Sequence, residues 1–476
     1  MSDRLSALDA SFLYAEEPGA PQHVGTVMVF EGPIDYPRLQ RHLAGRIAFV
    51  PRYRKRVTQV PGRLANPVWV DDPRFDLGFH VRRSALPRPG SMDQLRELVA
   101  RVHPRELDRS RPLWELYVVE GLEKDRFALI SKAHHALVDG VNGLDLAQVV
   151  LDGSPDVSEA PPEAWRPGPQ PSALDLVTGA VLEAAQRPAE AVSTLRRQAA
   201  DLQHAASRVA GSLGRLAVAR RAPDSPLDVE LSQQRLFAVA EAKLSDYRAV
   251  ARRHGRPRPG AVAAVRPTVN DVVLAVLAGA MRTWLQARGL PVSPTTRMRA
   301  LVPVSVRPND ADPDDDALTI DEVSYGTSVD GQLVDLPVGE PNPVMRLHQV
   351  AYQLSPHREG GRAIPARDLA ELAGFAPPTL HSLGVRVAGG LSRRYFNLLV
   401  TNVPGPQEPV YCAGARLAAT YPVIPLSQGH ALAVGVTSYD GRVFVGFNAD
   451  RDALADVADL PTYLHEALVE LKAAAQ

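Results

Sequence analysis

Two adjacent histidines, His134 and His135, are the clearest candidates for catalysis in this sequence. They open the heptapeptide His-His-Ala-Leu-Val-Asp-Gly, which has the form His-His-x-x-x-Asp-Gly and ends at Asp139 and Gly140. An imidazole can act as a general base near neutral pH without a large pKa shift. The aspartate is placed to lock the loop, and the glycine allows a tight turn or a close approach to a ligand. The motif therefore predicts a base-catalysed reaction.

The histidine motif lies between a predicted strand and a predicted helix. Residues 126–131 are typical of a strand, and residues 143–150 are typical of a helix. Such a junction holds side chains in a fixed frame, where catalytic groups are often found. We expect residues 116–119 to pair with residues 127–130 as antiparallel strands. The other predicted elements are a strand at 26–30, helices at 36–49, 246–254 and 268–288, a strand at 298–306 and a strand-rich stretch at 398–448.

Length and composition favour a globular protein of two domains. A chain of 476 residues with 45% hydrophobic and 22% charged residues is too long for one ordinary core. The net charge of −1 provides no overall basic field for nucleic acid. Cys412 is the only cysteine, which excludes an intrachain disulfide and a cysteine-based zinc site. No metal site is predicted.

The sequence lacks the apolar segments that mark secretion or membrane insertion. Its start has no apolar signal core, and no apolar run approaches the roughly 20 residues needed to span a bilayer. We therefore expect a cytoplasmic protein. Peripheral binding to the inner face of the cell membrane or to lipid droplets is a second possibility.

Composition divides the chain into three parts. Residues 1–154 form an N-terminal domain that carries the histidine motif, and residues 230–476 form a C-terminal domain. Residues 155–229 join them through a Pro-rich linker and an Ala- and Arg-rich helical stretch at 173–221, which Pro188 interrupts. This stretch has two interpretations. It is either a connector packed on the protein or an amphipathic helix whose arginines meet anionic lipid.

Acyl transfer from a thioester to a hydroxyl is the reaction that these residues support. It needs a base for the hydroxyl proton, donors for the tetrahedral oxyanion and a crevice that admits two substrates. His135 suits the base, and backbone N–H groups near Gly140 or a polar side chain from the other domain suit the oxyanion. The sequence contains no Gly-x-Ser-x-Gly elbow, Gly-rich phosphate loop or zinc-protease motif. A direct transfer without an acyl-enzyme remains.

Short segments spread along nearly the whole chain match a family pattern. They are Leu-Asp-Ala-Ser-Phe-Leu-Tyr at 8–14, Pro-Leu-Trp-Glu at 112–115, the motif at 134–140, Val-Asn-Asp-Val-Val-Leu-Ala at 269–275, Val-Pro-Val-Ser-Val-Arg at 302–307, Thr-Asn-Val-Pro-Gly-Pro at 401–406, and the closing segments 438–441 and 448–451. Together they resemble the bacterial wax ester synthase/acyl-CoA:diacylglycerol acyltransferase family. The histidine motif alone is shared with condensation domains and chloramphenicol acetyltransferase-like enzymes, so the combination is more specific.

The resemblance implies an α/β fold of two chloramphenicol acetyltransferase-like domains, each a mixed β-sheet covered by helices, with a tunnel between them. His135 would deprotonate the acceptor hydroxyl, whose oxygen would attack the acyl-CoA carbonyl and release CoA as the thiol. Acyl-CoA is then a substrate, no cofactor is expected, and the product is triacylglycerol or a wax ester. His134 would support His135, and Asp139 would be structural, with Arg307 as its candidate partner. The resemblance places substrate-binding residues at Gly140, Asn270, Asp271, Thr401 and Asn402.

Some alternatives stay open at this point. Residues 225–230 and 324–327 depart from the family pattern, and residues 255–265 look like an insert, which leaves the identity of the acceptor open. Alternatively, Asn270 could have a purely structural role as a helix cap, and Asn402 could have a purely structural role in fixing the turn that follows it. Two other functions remain: a condensation-type acyltransferase that uses a carrier-bound donor, and a non-catalytic lipid-binding homologue.

Overall fold

A computed structural model describes residues 3–17, 19–138, 149–156, 165–186, 221–255, 266–305, 329–355 and 395–474. The strands are β1 Asp3–Arg4, β2 His23–Phe30, β3 Lys55–Thr58, β4 Val68–Asp71, β5 Val81–Ala85, β6 Trp114–Leu122, β7 Arg126–His134, β8 Arg235–Lys243, β9 Met298–Ser305, β10 Val329–Leu336, β11 Leu398–Pro404, β12 Tyr411–Cys412, β13 Ala415–Val423, β14 Leu432–Tyr439 and β15 Arg442–Asp450. The helices are α1 Ala7–Ala15, α2 Tyr36–Ile47, α3 Leu77–His80, α4 Met92–Val102, α5 His135–Val138, α6 Ala173–Gln186, α7 Leu244–His254, α8 Val269–Ala287, α9 Pro343–Leu354 and α10 Leu460–Ala474, with short 3-10 turns at Pro51–Arg54, Pro61–Arg63 and Val457–Asp459.

Two six-stranded mixed sheets form the body of the protein. The first sheet has the order β12-β13-β2-β7-β6-β5, and the second has the order β10-β9-β11-β14-β15-β8. Most neighbouring strands are antiparallel, but β5 runs parallel to β6, and β11 runs parallel to both β9 and β14. A separate hydrophobic core accompanies each sheet. The predicted α/β architecture of two mixed sheets covered by helices is confirmed.

Local sequence signals predicted several elements correctly. The hairpin expected from residues 116–119 and 127–130 is confirmed as β6 and β7, which pair antiparallel. The helix expected after Thr268 is confirmed as α8, and the Thr268 hydroxyl accepts a hydrogen bond from the Asp271 N–H as its N-cap. α8 is apolar on almost every side, which allows it to pack against both α9 and α10, and most of its residues are buried.

The histidine motif begins where a central strand ends. β7 lies between β2 and β6, and its residues from Phe127 to His134 are buried. His134 is the last residue of β7, and His135 is the first residue of α5, which confirms the expected place at a strand end. Most of the helix predicted at 143–150 lies outside the described residues.

A strand from the last third of the chain completes the first sheet. β13 pairs antiparallel with β2, and β12 extends this edge. The domain boundaries at residues 154 and 229 stay a prediction. The strand pairing adds that residues 411–423, assigned by position to the C-terminal domain, belong to the first sheet.

The same strand also packs against the second sheet, at a pair of glycines. Gly435 of β14 and Gly446 of β15 are partners in the strand register. A Cβ atom on Gly446 would lie 2.0 Å from the carbonyl oxygen of Pro422, and one on Gly435 would lie 2.6 Å from the Pro422 Cβ. Only residues without a side chain allow β13 to approach this closely. The glycine pair is therefore a point where the two sheets meet.

Helix α6 packs on a small third sheet with the order β1-β4-β3. Leu176 of α6 is buried with Val60, Val68 and Val70. A cavity of about 580 Å³ lies beside this contact, and none of the predicted site residues lines it. The predicted helical stretch at 173–221 is confirmed as far as residue 186, and the rest, including Pro188, lies outside the described residues. Among the helices of the described ranges, none has the length and apolar composition needed to cross a bilayer.

The glycine pair gives a direct test of how the sheets meet. We expect Gly446→Ala to lower the free energy of unfolding by about 1–3 kcal/mol, because the added methyl group overlaps the Pro422 backbone. Urea unfolding followed by circular dichroism measures the change. Gly153→Ala is the matched control, since a Cβ there meets nothing within 4 Å. An unchanged stability of Gly446→Ala would contradict the close approach.

Candidate active site

His134 is the buried member of the histidine pair, with 1% of its surface exposed. Its Nδ1 accepts a hydrogen bond of 3.1 Å from the backbone N–H of Ala136. A neutral imidazole that accepts at Nδ1 carries its proton on Nε2. The Nε2 atom lies 3.7 Å from Oε2 of Glu16, so this proton is on the side of the carboxylate.

Glu16, which directly follows α1, lies at the centre of a cluster of polar groups. Its side chain is 9% exposed, and its Oε1 lies 3.3 Å from Nε2 of His23. The backbone N–H of Gln22 donates to the same oxygen over 3.2 Å. Arg109 donates to the other oxygen, Oε2. The carboxylate therefore links the end of α1 to the start of β2 and the end of β7.

Burial sets the charge states in this cluster. Burial lowers the pKa of His134 to about 3, which the nearby Glu16 carboxylate only partly opposes. Burial likewise lowers the pKa of His23. Burial alone would raise the pKa of Glu16, but the proximity of His23 and His134 and the hydrogen bond from Arg109 outweigh it, and the pKa falls well below its usual range. At neutral pH Glu16 is ionised, His134 is neutral, and Arg109 is the compensating cation.

His135 is the accessible member of the pair, because its side chain is only partly buried. Its backbone N–H donates to the carbonyl oxygen of Gln22 over 2.9 Å. Its ring stacks on Phe12, with the ring centroids 3.9 Å apart and the planes 17° from parallel. The ring is thus oriented by the helix and loop at the start of the chain.

The structure brings two predicted residues of the second half together. Nδ2 of Asn402, in β11, donates to Oδ1 of Asn270 over 3.0 Å, and both residues are partly exposed. Asp271 is 4% exposed and, with Thr268, forms the capping box of α8. The capping role considered for Asn270 is thus filled by its neighbours. Thr401 precedes Asn402 in β11 and is also partly exposed.

The predicted residues therefore fall into two groups, the histidine pair beside the loop after α1 and the asparagine pair at the start of α8. Asp139, Gly140 and Arg307 lie outside the described residues, and their roles stay predictions. The tunnel also stays a prediction, because residues 139–148 next to His135 are not among those described. Within the described ranges, no group of three or more His, Cys, Asp or Glu residues could hold a metal ion.

Sequence reasoning did not identify Glu16, His23, Arg109 and Phe12 as parts of the site. Phe12 lies in the segment 8–14, which was used only as a sign of the family. Glu16 follows that segment by two residues. An acidic residue so close to a family segment was the available signal, but its partners are distant in sequence.

Solved structures of a cyclization-docking bidomain and of a condensation domain share this fold. The cyclization-docking bidomain of EpoB from Sorangium cellulosum superposes with a TM-score of 0.54 at 14% identity, covering 99% of this chain and 84% of that chain. The first condensation domain of the CDA synthetase gives 0.52 at 14% identity, covering 100% and 95%. These likenesses, together with the sheets described above, show the fold of chloramphenicol acetyltransferase-like proteins, with two mixed sheets covered by helices.

A narrower assignment comes from family models and relatives. The model of the wax ester synthase/diacylglycerol acyltransferase catalytic domain matches residues 5–257, and that of the WS/DGAT C-terminal domain matches residues 318–472. The wax ester synthase/diacylglycerol acyltransferase of Marinobacter aquaeolei VT8 superposes with a TM-score of 0.65 at 28% identity over 99% of each chain. The chain is 33% identical to the protein named probable diacylglycerol O-acyltransferase tgs2 of Mycobacterium tuberculosis, over 99% of each. It belongs to the WS/DGAT family and is an acyltransferase, which confirms the resemblance.

The burial of His134 predicts how stability depends on pH. A histidine in the unfolded chain has an ordinary pKa near 6.5, whereas His134 in the folded protein has a pKa of about 3. Between these two pH values, the unfolded chain binds a proton at this residue and the folded protein does not, which favours unfolding. The stabilisation is complete above about pH 7 and is lost as the pH falls toward 3. Between pH 7 and pH 5, we expect His134 alone to lower the free energy of unfolding by roughly 2 kcal/mol.

Urea unfolding at pH 7 and pH 5 measures this effect in the wild type and in His134→Gln. The variant lacks the titrating group, so its loss of stability between the two pH values should be smaller by that amount. Buried histidines outside the Glu16 cluster whose pKa values are also lowered, such as His42 and His80, contribute equally to both proteins and cancel in the comparison. The same pH dependence in both proteins would contradict the assignment.

Proposed function

We propose that this protein transfers a fatty acyl group from acyl-CoA to the hydroxyl of diacylglycerol or of a long-chain alcohol, with His135 as general base. The observation that carries the proposal is the geometry of His135. It is partly exposed and oriented by Phe12 and the Gln22 carbonyl, and it lies next to an imidazole that burial keeps neutral. Membership of an acyltransferase family supplies the reaction class.

The proposed reaction is a direct transfer. His135 takes the proton of the acceptor hydroxyl while the oxygen attacks the thioester carbonyl. The tetrahedral intermediate then collapses, the C–S bond breaks, and the imidazolium returns the proton to the CoA sulfur, so CoA leaves as the thiol. The thioester already carries the acyl group in activated form, and no oxidation state changes. We therefore propose that acyl-CoA is a substrate and that no metal or other cofactor takes part.

The second half of the chain would complete the site. Amide N–H groups are suited to stabilising an oxyanion or holding a polar substrate group. We propose this role for Asn270 and Asn402, whose side chains are hydrogen-bonded to each other and partly exposed, with Thr401 beside them. Asp271 would act indirectly by fixing the start of α8. Gly140 would offer a backbone N–H, and Asp139 and Arg307 would stabilise the loop of the motif.

An acyl-transfer assay tests the proposal. Purified protein is given radiolabelled palmitoyl-CoA with diolein or hexadecanol, and the labelled lipid is quantified. We expect His135→Ala to lower kcat/KM by about 10²–10⁴-fold, because the general base is lost. The control is His465→Ala, an exposed histidine on α10, which should retain the wild-type rate.

The same assay, repeated with EDTA and with a carrier-protein thioester as donor, distinguishes the proposal from its alternatives. A wild-type rate in His135→Ala would refute the proposed base. Loss of activity after EDTA treatment would refute a metal-free reaction. Product with a carrier-protein thioester, and none with palmitoyl-CoA, would favour the condensation-type alternative. Binding of lipid with no product from either donor would favour the lipid-binding homologue.

We also propose that helix α6 brings the protein to the surface of a membrane or lipid droplet, where lipid acceptors are found. Leu174 and Val181 lie two helical turns apart on the same face and are 70% and 57% exposed, and the adjacent Leu182 is 56% exposed. Leu176 occupies a different face and is buried against the third sheet. One face of the helix is thus fixed to the protein while apolar side chains remain on another, as in helices that lie in a lipid interface.

Vesicle flotation tests this contact. We expect the double variant Leu174→Glu/Val181→Glu to reduce the fraction of protein that floats with vesicles containing anionic lipid and diolein, because two charges replace the apolar contact. The matched control is Met345→Glu/Val469→Glu, which changes two apolar residues that are 48% and 50% exposed elsewhere. Equal flotation of both double variants would contradict a specific role for α6.

A further inference from the structure

We propose that Glu16 is a positioning residue for acyl transfer: its buried carboxylate fixes His134 and the backbone of His135 so that the His135 ring stays aligned with the acceptor hydroxyl. The proposal rests on the role of His135 as general base. The contact comes from outside the histidine motif, because Glu16 directly follows α1, more than a hundred residues earlier in the chain.

The first connection runs through Gln22. Oε1 of Glu16 accepts the Gln22 N–H over 3.2 Å, and the carbonyl of the same residue accepts the His135 N–H over 2.9 Å. The N–H and the carbonyl of one residue therefore link the carboxylate to the backbone of the proposed base. A shift of the carboxylate would shift Gln22 and, with it, the first turn of α5.

The second connection runs through His134. Its Nδ1 accepts from the Ala136 N–H, so its Nε2 carries the proton and lies 3.7 Å from the Glu16 carboxylate. An acceptor on that side favours this tautomer, whereas a donor there would oppose it. The carboxylate thus also maintains the hydrogen bond that holds the backbone just after His135.

The loop that carries the carboxylate is held from both halves of the chain. Arg109 donates to Glu16 and also to the carbonyl of Leu13, over 3.2 Å, near the end of α1. Arg235, in β8, donates to the Gly19 carbonyl and pairs with the buried Asp450 at 3.2 Å. Because the loop after α1 is anchored on both sides, Glu16 has a fixed position from which to act.

Positioning of this kind affects the rate more than substrate binding. A displacement of about 1 Å at a reacting group can reduce the rate by about 10²-fold, even when the substrate still binds. Loss of an interaction that matters only in the transition state lowers kcat and leaves KM nearly unchanged. The separation of kcat from KM therefore distinguishes positioning from a general weakening of the fold.

The test compares two substitutions at Glu16 in the full-length protein, with palmitoyl-CoA and diolein or hexadecanol. Glu16→Gln keeps the size of the side chain but removes the charge and places an amide donor beside two imidazoles and Arg109. We expect kcat to fall about 10–100-fold, with KM for acyl-CoA within about twofold of wild type. Glu16→Asp restores the charge with a shorter reach and should recover part of kcat.

Glu17→Gln is the matched control. Glu17 is the next residue, and its carboxylate accepts from Gln428 rather than from an imidazole, so the variant should retain the wild-type kcat. A wild-type kcat in Glu16→Gln would overturn the proposal. A fall in kcat together with a raised KM and a lowered melting temperature would also overturn it, since that pattern reports only a damaged fold.

Two further outcomes complete the design. If Glu16→Gln does not fold, Glu16→Asp decides: a reduced kcat at unchanged KM supports positioning, and a wild-type kcat overturns it. Activity of His135→Ala at the wild-type rate would refute the proposed base and not Glu16 itself. The two proposals can therefore fail separately.

Discussion

A buried carboxylate needs partners, because taking its charge out of water costs more than an incomplete set of contacts returns. Glu16 meets this requirement with Arg109, the Gln22 N–H and the imidazoles of His23 and His134. These partners come together where α1 ends beside the start of β2 and the end of β7. The strand register supports the same arrangement, since His23 of β2 pairs with His134 of β7. The geometry of the proposed base follows from this one constraint.

The pairing of distant segments extends beyond the site. The first sheet takes one of its strands, β13, from the last third of the chain, and that strand reaches the second sheet at the glycine pair. Arg235 joins the second sheet to the loop after α1 through the Gly19 carbonyl. The two sheets are thus connected at the core and at the site, and the segments matched by the two family models, 5–257 and 318–472, each contain strands of both sheets.

Sequence predicted what depends on near neighbours. The hairpin of β6 and β7 and the Thr268 cap of α8 follow from patterns only a few residues long, and the histidine motif indicated its own place at a strand end. The Glu16 cluster could not be predicted in this way, because its members come together only through tertiary contacts. Local signals also assigned residues 411–423 by position, whereas strand pairing places them in the first sheet.

The late arrival of β13 has a consequence for biosynthesis. Until residues 415–423 have been made, the edge of β2 that faces away from β7 has no strand to pair with. An unpaired apolar edge readily recruits a strand from another molecule. Because the chain is synthesised from its N-terminus, this edge of β2 remains unpaired for most of translation. Truncated transcripts that end before β13 would therefore yield chains prone to aggregation.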